Sequence, residues 1–139
     1  MRLVVDTSIL ISSLIKQSVT REILLLPFMK FYLPEYALEE MEIHKPKISR
    51  LSGLSSDEID ILLNSLLENI SIVPAQTIRP YMKKAERIIG GIDPYDIPFV
   101  ALALAVENDG IWSNDKHFKE IKSIKVWKTS DLLIHLKRP

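Results

Sequence analysis

Five short apolar runs constrain this chain more than any other feature: Leu3-Val4-Val5, Phe31-Tyr32-Leu33, Ile70 to Val73, Gly110 to Ser113 and Ile124 to Trp127. Each is short and mostly apolar, and the first, Leu3-Val4-Val5, is continuous, as in a strand buried on both faces. The stretches between them carry apolar residues at helical spacing. After Thr7 these are Ile9, Leu10, Leu14 and Ile15, and a second helix is predicted from Val19 to Leu26, ending at Pro27. Pro34 suits the first turn of a helix over PEYALEEMEIHK. Ser55 and Ser56 precede Asp57 and Glu58 as a capping signal for a helix that keeps its apolar face through Leu67. A polar helix is expected over Arg79 to Ile89, stopped by Gly90-Gly91, and DPYDIPFVALALAVEN becomes strongly helical in its alanine-rich half. DKHFKEI reads as a short helix, and Thr129-Ser130-Asp131 as the cap of a last one, DLLIHL. Strands alternating with helices predict an α/β fold, its parallel sheet covered on both faces by right-handed crossovers.

No repeat, low-complexity tract or Pro/Gly linker divides the 139 residues, so one domain spanning 1–139 is expected. A composition of 47% hydrophobic and 26% charged residues excludes a disordered chain. No apolar run approaches the roughly 18 residues of a membrane span, and the N-terminus lacks a signal-peptide pattern. The absence of cysteine excludes disulfides, thiol nucleophiles and cysteine-ligated zinc, and fits a cytoplasmic protein. The net charge is zero but unevenly spread. Residues 1–114 hold 11 Lys/Arg against 15 Asp/Glu, and residues 115–139 hold 7 against 3. A basic tail beside an acidic body either steers a polyanion to an acidic site or is a solvated helix face.

Asp6 follows the first apolar run directly, and Asp115 follows the fourth in the same way. Glu39 and Glu40 lie in the helix after the second, and Asp93 and Asp96 open the alanine-rich helix. All would fall at the carboxyl edge of a parallel sheet, where open α/β folds place their chemistry. Each is equally at home as a helix cap or a first-turn acid. Brought together, such carboxylates repel one another and their pKa values rise unless a cation is present. Oxygen-seeking Mg²⁺ or Mn²⁺ meets that need and supports phosphodiester hydrolysis. Nothing else in the sequence forms a catalytic set. His44, His117 and His135 are scattered without metal-ligand spacing, and no Gly-rich phosphate loop or GxSxG elbow is present.

Taken in order, VVDTSILI, LPEYALEEMEIHK, IDPYDIPFVALALA and IWSNDKHF resemble the PIN-domain family of metal-dependent ribonucleases, over residues 2–119. The resemblance implies a three-layer α/β/α sandwich with a mostly parallel five-stranded sheet. It implies an Mg²⁺ or Mn²⁺ site at Asp6, Glu40 and Asp96, with Asp115 as a further ligand and Asp93 as an auxiliary one. Glu40 fits the family's helical acid because Met41 follows it, with Glu39 as the fallback. Thr7 or Ser8 would orient Asp6, and Ser113 and Asn114 would organise the turn. Lys116, Lys119 and Lys122 would grip flanking RNA phosphates. IWSNDKHF and DPYD resemble an archaeal-type branch of a family that includes VapC-type toxins, whose partner antitoxin protein blocks the active site. A homodimer or higher homo-oligomer is implied, with LLLPF and ILLNSLL as contact surfaces. Two other classes compete: a haloacid-dehalogenase-type phosphatase, which wants an acid where Ser8 stands, and a non-catalytic binding or assembly module of the same fold.

Overall fold

Strand β1 (Arg2–Val5), buried from Leu3 onward, lies at the centre of a five-stranded sheet. The computed structural model describes residues 1–89, 91 and 93–138, with Lys119 and Glu120 described by their backbone alone. On one side of β1 run β2 (Lys30–Pro34) and β3 (Ile70–Val73), and on the other β4 (Ile111–Trp112) and β5 (Val126–Trp127). The order is β3-β2-β1-β4-β5 and every pairing is parallel, rather than mostly so. Register places Val4 opposite Tyr32 on one edge and Val5 opposite Trp112 on the other.

Two groups of helices cover the sheet. The first comprises α1 (Thr7–Ile15), α2 (Val19–Leu24), α3 (Tyr36–Ser52) and α4 (Ser56–Leu67), with α3 packed on β2 and α4 on β3. The second comprises α5 (Ala75–Ile78), α6 (Met82–Ile89) and α7 (Ile97–Ala105), with α7 packed on β1, β2 and β4. The last helix, α8 (Thr129–Leu136), buries Leu132. Phe99, Val100, Ala101 and Leu102 are all buried, because α7 lies between the sheet and its neighbouring helices. Among the described residues no helix is long and apolar enough to cross a membrane.

Local chemistry sets several boundaries. Ser55 caps α4 as expected: its Oγ accepts from the Glu58 amide at 3.1 Å, and Glu58 Oε1 accepts from the Ser55 amide at 3.0 Å. Other boundaries differ from expectation. Pro34 ends β2 instead of opening α3, and α2 stops at Leu24. Helix α3 runs through Pro46, because Met41 and Ile48 on either side of it are both buried. It ends where Gly53 takes a left-handed conformation, φ 77°, and its amide closes on the Ser49 carbonyl. The predicted polar helix begins as a 3₁₀ turn at Arg79–Tyr81, since Pro80 fits only a first turn, before α6. Its predicted stop at Gly90 lies outside the described residues. DKHFKEI is a 3₁₀ turn over Lys116–Glu120. Thr129 is the first residue of α8, so Lys128 holds the cap position and its amide donates to Asp131. Of the two predicted contact segments, Leu24 and Leu66 are buried whereas Leu25, Phe28 and Ile61 face solvent.

The turn into β4 is tight. Gly110 has φ 134°, and a Cβ there would stand 2.5 Å from the Lys125 carbonyl oxygen, which accepts the Ile111 amide. Gly110→Ala combines backbone strain with displacement of β5, and should cost at least ~2 kcal/mol of stability in urea unfolding. A loss below ~0.5 kcal/mol would show that β5 yields freely.

Candidate metal centre at the carboxyl edge of the sheet

Successive strands leave β1 to one side and β4 returns on the other, so the sheet's topological switch lies between β1 and β4. The pairing extends one rung beyond the strands, with the Asp6 amide donating to the Trp112 carbonyl at 3.1 Å. Asp6 and Ser113 are thereby placed side by side. Ser113 Oγ donates to Asp6 Oδ2 at 2.7 Å, and Ser8 Oγ donates to the same oxygen at 2.6 Å. Ser113 Oγ in turn accepts the Asp115 amide at 3.0 Å.

A cleft of about 420 Å³ opens here, lined by Asp6, Glu40, Asp93, Asp96 and Asp115. Five acidic residues from four separate regions of the chain thus meet in one place. Of the two neighbours in α3, Glu40 lines the cleft, and Glu39 is exposed on another face of the helix. Pro94–Asp96 is a 3₁₀ turn leading into α7, which brings Asp93 and Asp96 to the same rim.

Four of the acids occupy cap positions, but only two of them cap. Asp93 accepts the Tyr95 amide at 2.9 Å, and Asp115 accepts the His117 amide at 3.0 Å. Asp6 and Asp96 stand at the cap positions of α1 and α7 without any side-chain capping bond. They are also the two buried acids, 5% and 6% exposed. Asp96 Oδ2 is enclosed and has no hydrogen-bond partner among the described residues. A buried carboxylate oxygen without a donor is costly, and a cation would relieve that cost.

The electrostatics agree with that reading. Burial, then the charges of Asp6 and Asp93, push Glu40 from an ordinary 4.5 up to about 7. Burial, followed by Asp6, Asp93 and Asp115, takes Asp96 from 3.8 to about 7, with His117 pulling the other way. Burial raises Asp6 as well, opposed by the hydroxyls of Ser8 and Ser113. Acidic oxygen donors converging on an enclosed, unpartnered oxygen suit a hard divalent ion such as Mg²⁺ or Mn²⁺.

The supporting residues divide. Ser8 and Ser113 do hold Asp6, whereas Thr7 Oγ1 is buried with no partner. Asn114 turns away and ties β4 to α8: its Nδ2 donates to Thr129 Oγ1, and its Oδ1 accepts the Thr129 amide. Lys116 is exposed and lines neither this cleft nor the adjoining one, and the Lys119 side chain lies outside the described residues. The adjoining cleft, of about 490 Å³, is lined instead by Lys122, Lys125 and Lys128, and meets the acidic cleft at Asp115.

One residue was missed by sequence reasoning. His117 Nδ1 lies 3.3 Å from Asp115, 3.6 Å from Asp93 and 3.7 Å from Asp96. His44 lines the same cleft. No spacing rule finds His117 from Asp93 and Asp96, because α7 and β4 intervene in the chain. Its position two residues after Asp115, in the same turn, was the available signal.

No curated protein matches the chain. Its fold is similar to that of a solved structure, VapBC2 from Rickettsia felis bound to a DNA fragment from their promoter. The TM-score is 0.72 at 17% identity, over 92% of this chain and 98% of that one. The sequence profile described as the PIN domain matches residues 4–137. The chain belongs to the PIN domain family.

Proposed function

We propose that this protein is a metal-dependent ribonuclease that hydrolyses RNA phosphodiester bonds at the acidic cleft. Membership of the PIN domain family supports nuclease activity in general. The single observation that carries the finer reading is the unpartnered, enclosed Asp96 Oδ2 among the other cleft carboxylates. Asp6, Glu40 and Asp96 would hold Mg²⁺ or Mn²⁺, with Asp115 and Asp93 at the rim. When bound, such an ion activates water for attack on phosphorus and offsets charge on the phosphoryl oxygens.

The chain's own groups do the rest. Ser8 and Ser113 fix Asp6 Oδ2 from two sides, so that carboxylate meets the ion in one orientation. Glu40 and Asp96, pushed up to about 7 by burial and the neighbouring carboxylates, would give up their protons more readily beside a bound cation. Lys122, Lys125 and Lys128 line the cleft that meets the site at Asp115, where flanking phosphates of a single strand would lie. No side chain is needed as nucleophile. Ser8 occupies the position where a haloacid-dehalogenase-type phosphatase requires an acid, and it is spent on orienting Asp6.

The similarity to VapBC2 supports a toxin role, with an antitoxin protein as partner. Exposed Leu25, Phe28 and Ile61 support self-association into a homodimer. Labelled single-stranded RNA should be cut with Mg²⁺ or Mn²⁺ and left intact with EDTA. Asp6→Asn and Asp96→Asn should each lower the rate at least ~100-fold with unchanged circular dichroism. Metal binding without cutting of any RNA would favour the non-catalytic module instead.

Stability without metal gives a second check. Glu40 and Asp96 bind protons more tightly folded, at about 7, than unfolded, at 4.5 and 3.8. Their contribution is therefore fully present below about pH 4 and lost as pH rises through about 7. In EDTA, Tm should fall between pH 5 and pH 8. Saturating Mn²⁺ should restore it at pH 8, and Asp96→Asn should raise the metal-free Tm there. A metal-free Tm that ignores pH across this window would contradict the crowded-carboxylate picture.

A further inference from the structure

The acidic cleft contains a group that a purely oxygen-liganded centre does not require. His117 Nδ1 is enclosed, makes no hydrogen bond among the described residues, and lies 3.6 Å from Asp93 and 3.7 Å from Asp96. One ligand atom from each of Asp93, Asp96 and His117 falls within 4.8 Å of the others. Asp96, 6% exposed, presents its unpartnered Oδ2 to this group. Around an ion with ~2.1 Å bonds, neighbouring donors stand roughly 3 Å apart and opposite ones about 4.2 Å. The two separations from Nδ1, 3.6 and 3.7 Å, fall between these limits, so His117 stands at ligand spacing from both carboxylates.

We propose that His117 Nδ1, with Asp93 and Asp96, forms a mixed nitrogen–oxygen position for a first-row transition ion, beside the oxygen-only position of Asp6 and Glu40 and sharing Asp96 with it. The inference rests on the metal reading given above and deepens it by assigning the ion class. Imidazole is a good ligand for transition ions, whereas Mg²⁺ takes carboxylate, carbonyl and water oxygens. Mn²⁺ accepts both donor types, so the mixed position selects Mn²⁺ over Mg²⁺. The turn that presents His117 is already set: Asp115 accepts the His117 amide at 3.0 Å and caps the 3₁₀ turn. Asp115 Oδ1, 3.3 Å from Nδ1, is the oxygen that already accepts the His117 amide, whereas Asp93 accepts the Tyr95 amide at Oδ1 and faces Nδ1 with its other oxygen, Oδ2.

Pulsed electron paramagnetic resonance of the Mn²⁺-loaded wild-type protein tests this directly, because an imidazole ligand imposes nitrogen modulation on the Mn²⁺ echo. The expected result is ¹⁴N modulation in wild type that changes to the ¹⁵N pattern when histidine alone is ¹⁵N-labelled. The modulation should be lost in His117→Gln and kept in His44→Gln. Competition titrations should show His117→Gln weakening Mn²⁺ binding at least ~10-fold while Mg²⁺ binding changes little. Mn²⁺ bound without nitrogen modulation in wild type overturns the His117 assignment and leaves the ribonuclease reading standing. Modulation that survives His117→Gln and vanishes in His44→Gln overturns it in favour of the other cleft histidine. Wild type that binds no Mn²⁺ at all overturns this proposal together with the metal-dependent function beneath it. Because the labelling experiment uses unmutated protein, the test does not depend on a variant that folds.

Discussion

One rung of the sheet organises everything at the carboxyl edge: the bond from the Asp6 amide to the Trp112 carbonyl. It continues the β1–β4 ladder past the last paired strand residues, and so fixes the spacing of the two loops that follow. Ser113 then reaches Asp6 Oδ2, and its own oxygen receives the Asp115 amide. Asp115 in turn caps the 3₁₀ turn that carries His117. A chain of four local bonds thus converts strand register into the placement of side chains from two separate loops. On the far side, β4 is locked to β5 by the Ile111 amide on the Lys125 carbonyl, at the glycine where no side chain fits.

The cleft is stabilised poorly by its own chemistry. Asp6 has two hydroxyl donors, but Asp96 Oδ2 has none, and Glu40 and Asp96 titrate near 7 because burial and mutual repulsion oppose their ionisation. The buried apolar core on both faces of the sheet, from Leu3 to Leu132, is what holds the five acids together. Functional sites are commonly maintained this way, with local free energy given up where a ligand will later supply it. The two histidines in or beside the cleft fit the same view, since a group that can carry or accept positive charge reduces the strain among the carboxylates.

Much of this was legible from sequence, for physical reasons that can be named. Short apolar runs set between helical stretches identify strands, and β3 came out at its predicted residues, Ile70–Val73. The Ser55–Glu58 capping pair fixed the start of α4, because both halves of that motif lie within four residues. What depended on distant burial was not legible. α3 continues through Pro46 because Met41 and Ile48 both find core contacts, and that gain outweighs a missing amide. Glu39 and Glu40 could not be separated by periodicity alone, since α3 has buried, half-buried and exposed residues in close succession. His117 was invisible because convergence across α7 and β4 is a property of topology, not of spacing.

The four cap-position acids show how a structural role and a chemical one can be told apart. A capping carboxylate gains by accepting an amide at the helix start, at a partly exposed position where water satisfies its other oxygen. Asp93 and Asp115 meet that description. Asp6 and Asp96 occupy the same positions in the chain and forgo the bond, while being the more deeply buried pair. Asp96 has no cap to make, because its backbone is already helical where α7 begins and Pro98, two residues on, offers no amide. Asp6 takes hydroxyls from Ser8 and Ser113 instead, which aims it into the cleft, and Asp96 takes nothing. That pair, rather than the count of acids at the rim, is what supports the proposed metal centre over the ordinary clustering of caps at the edge of an α/β sheet.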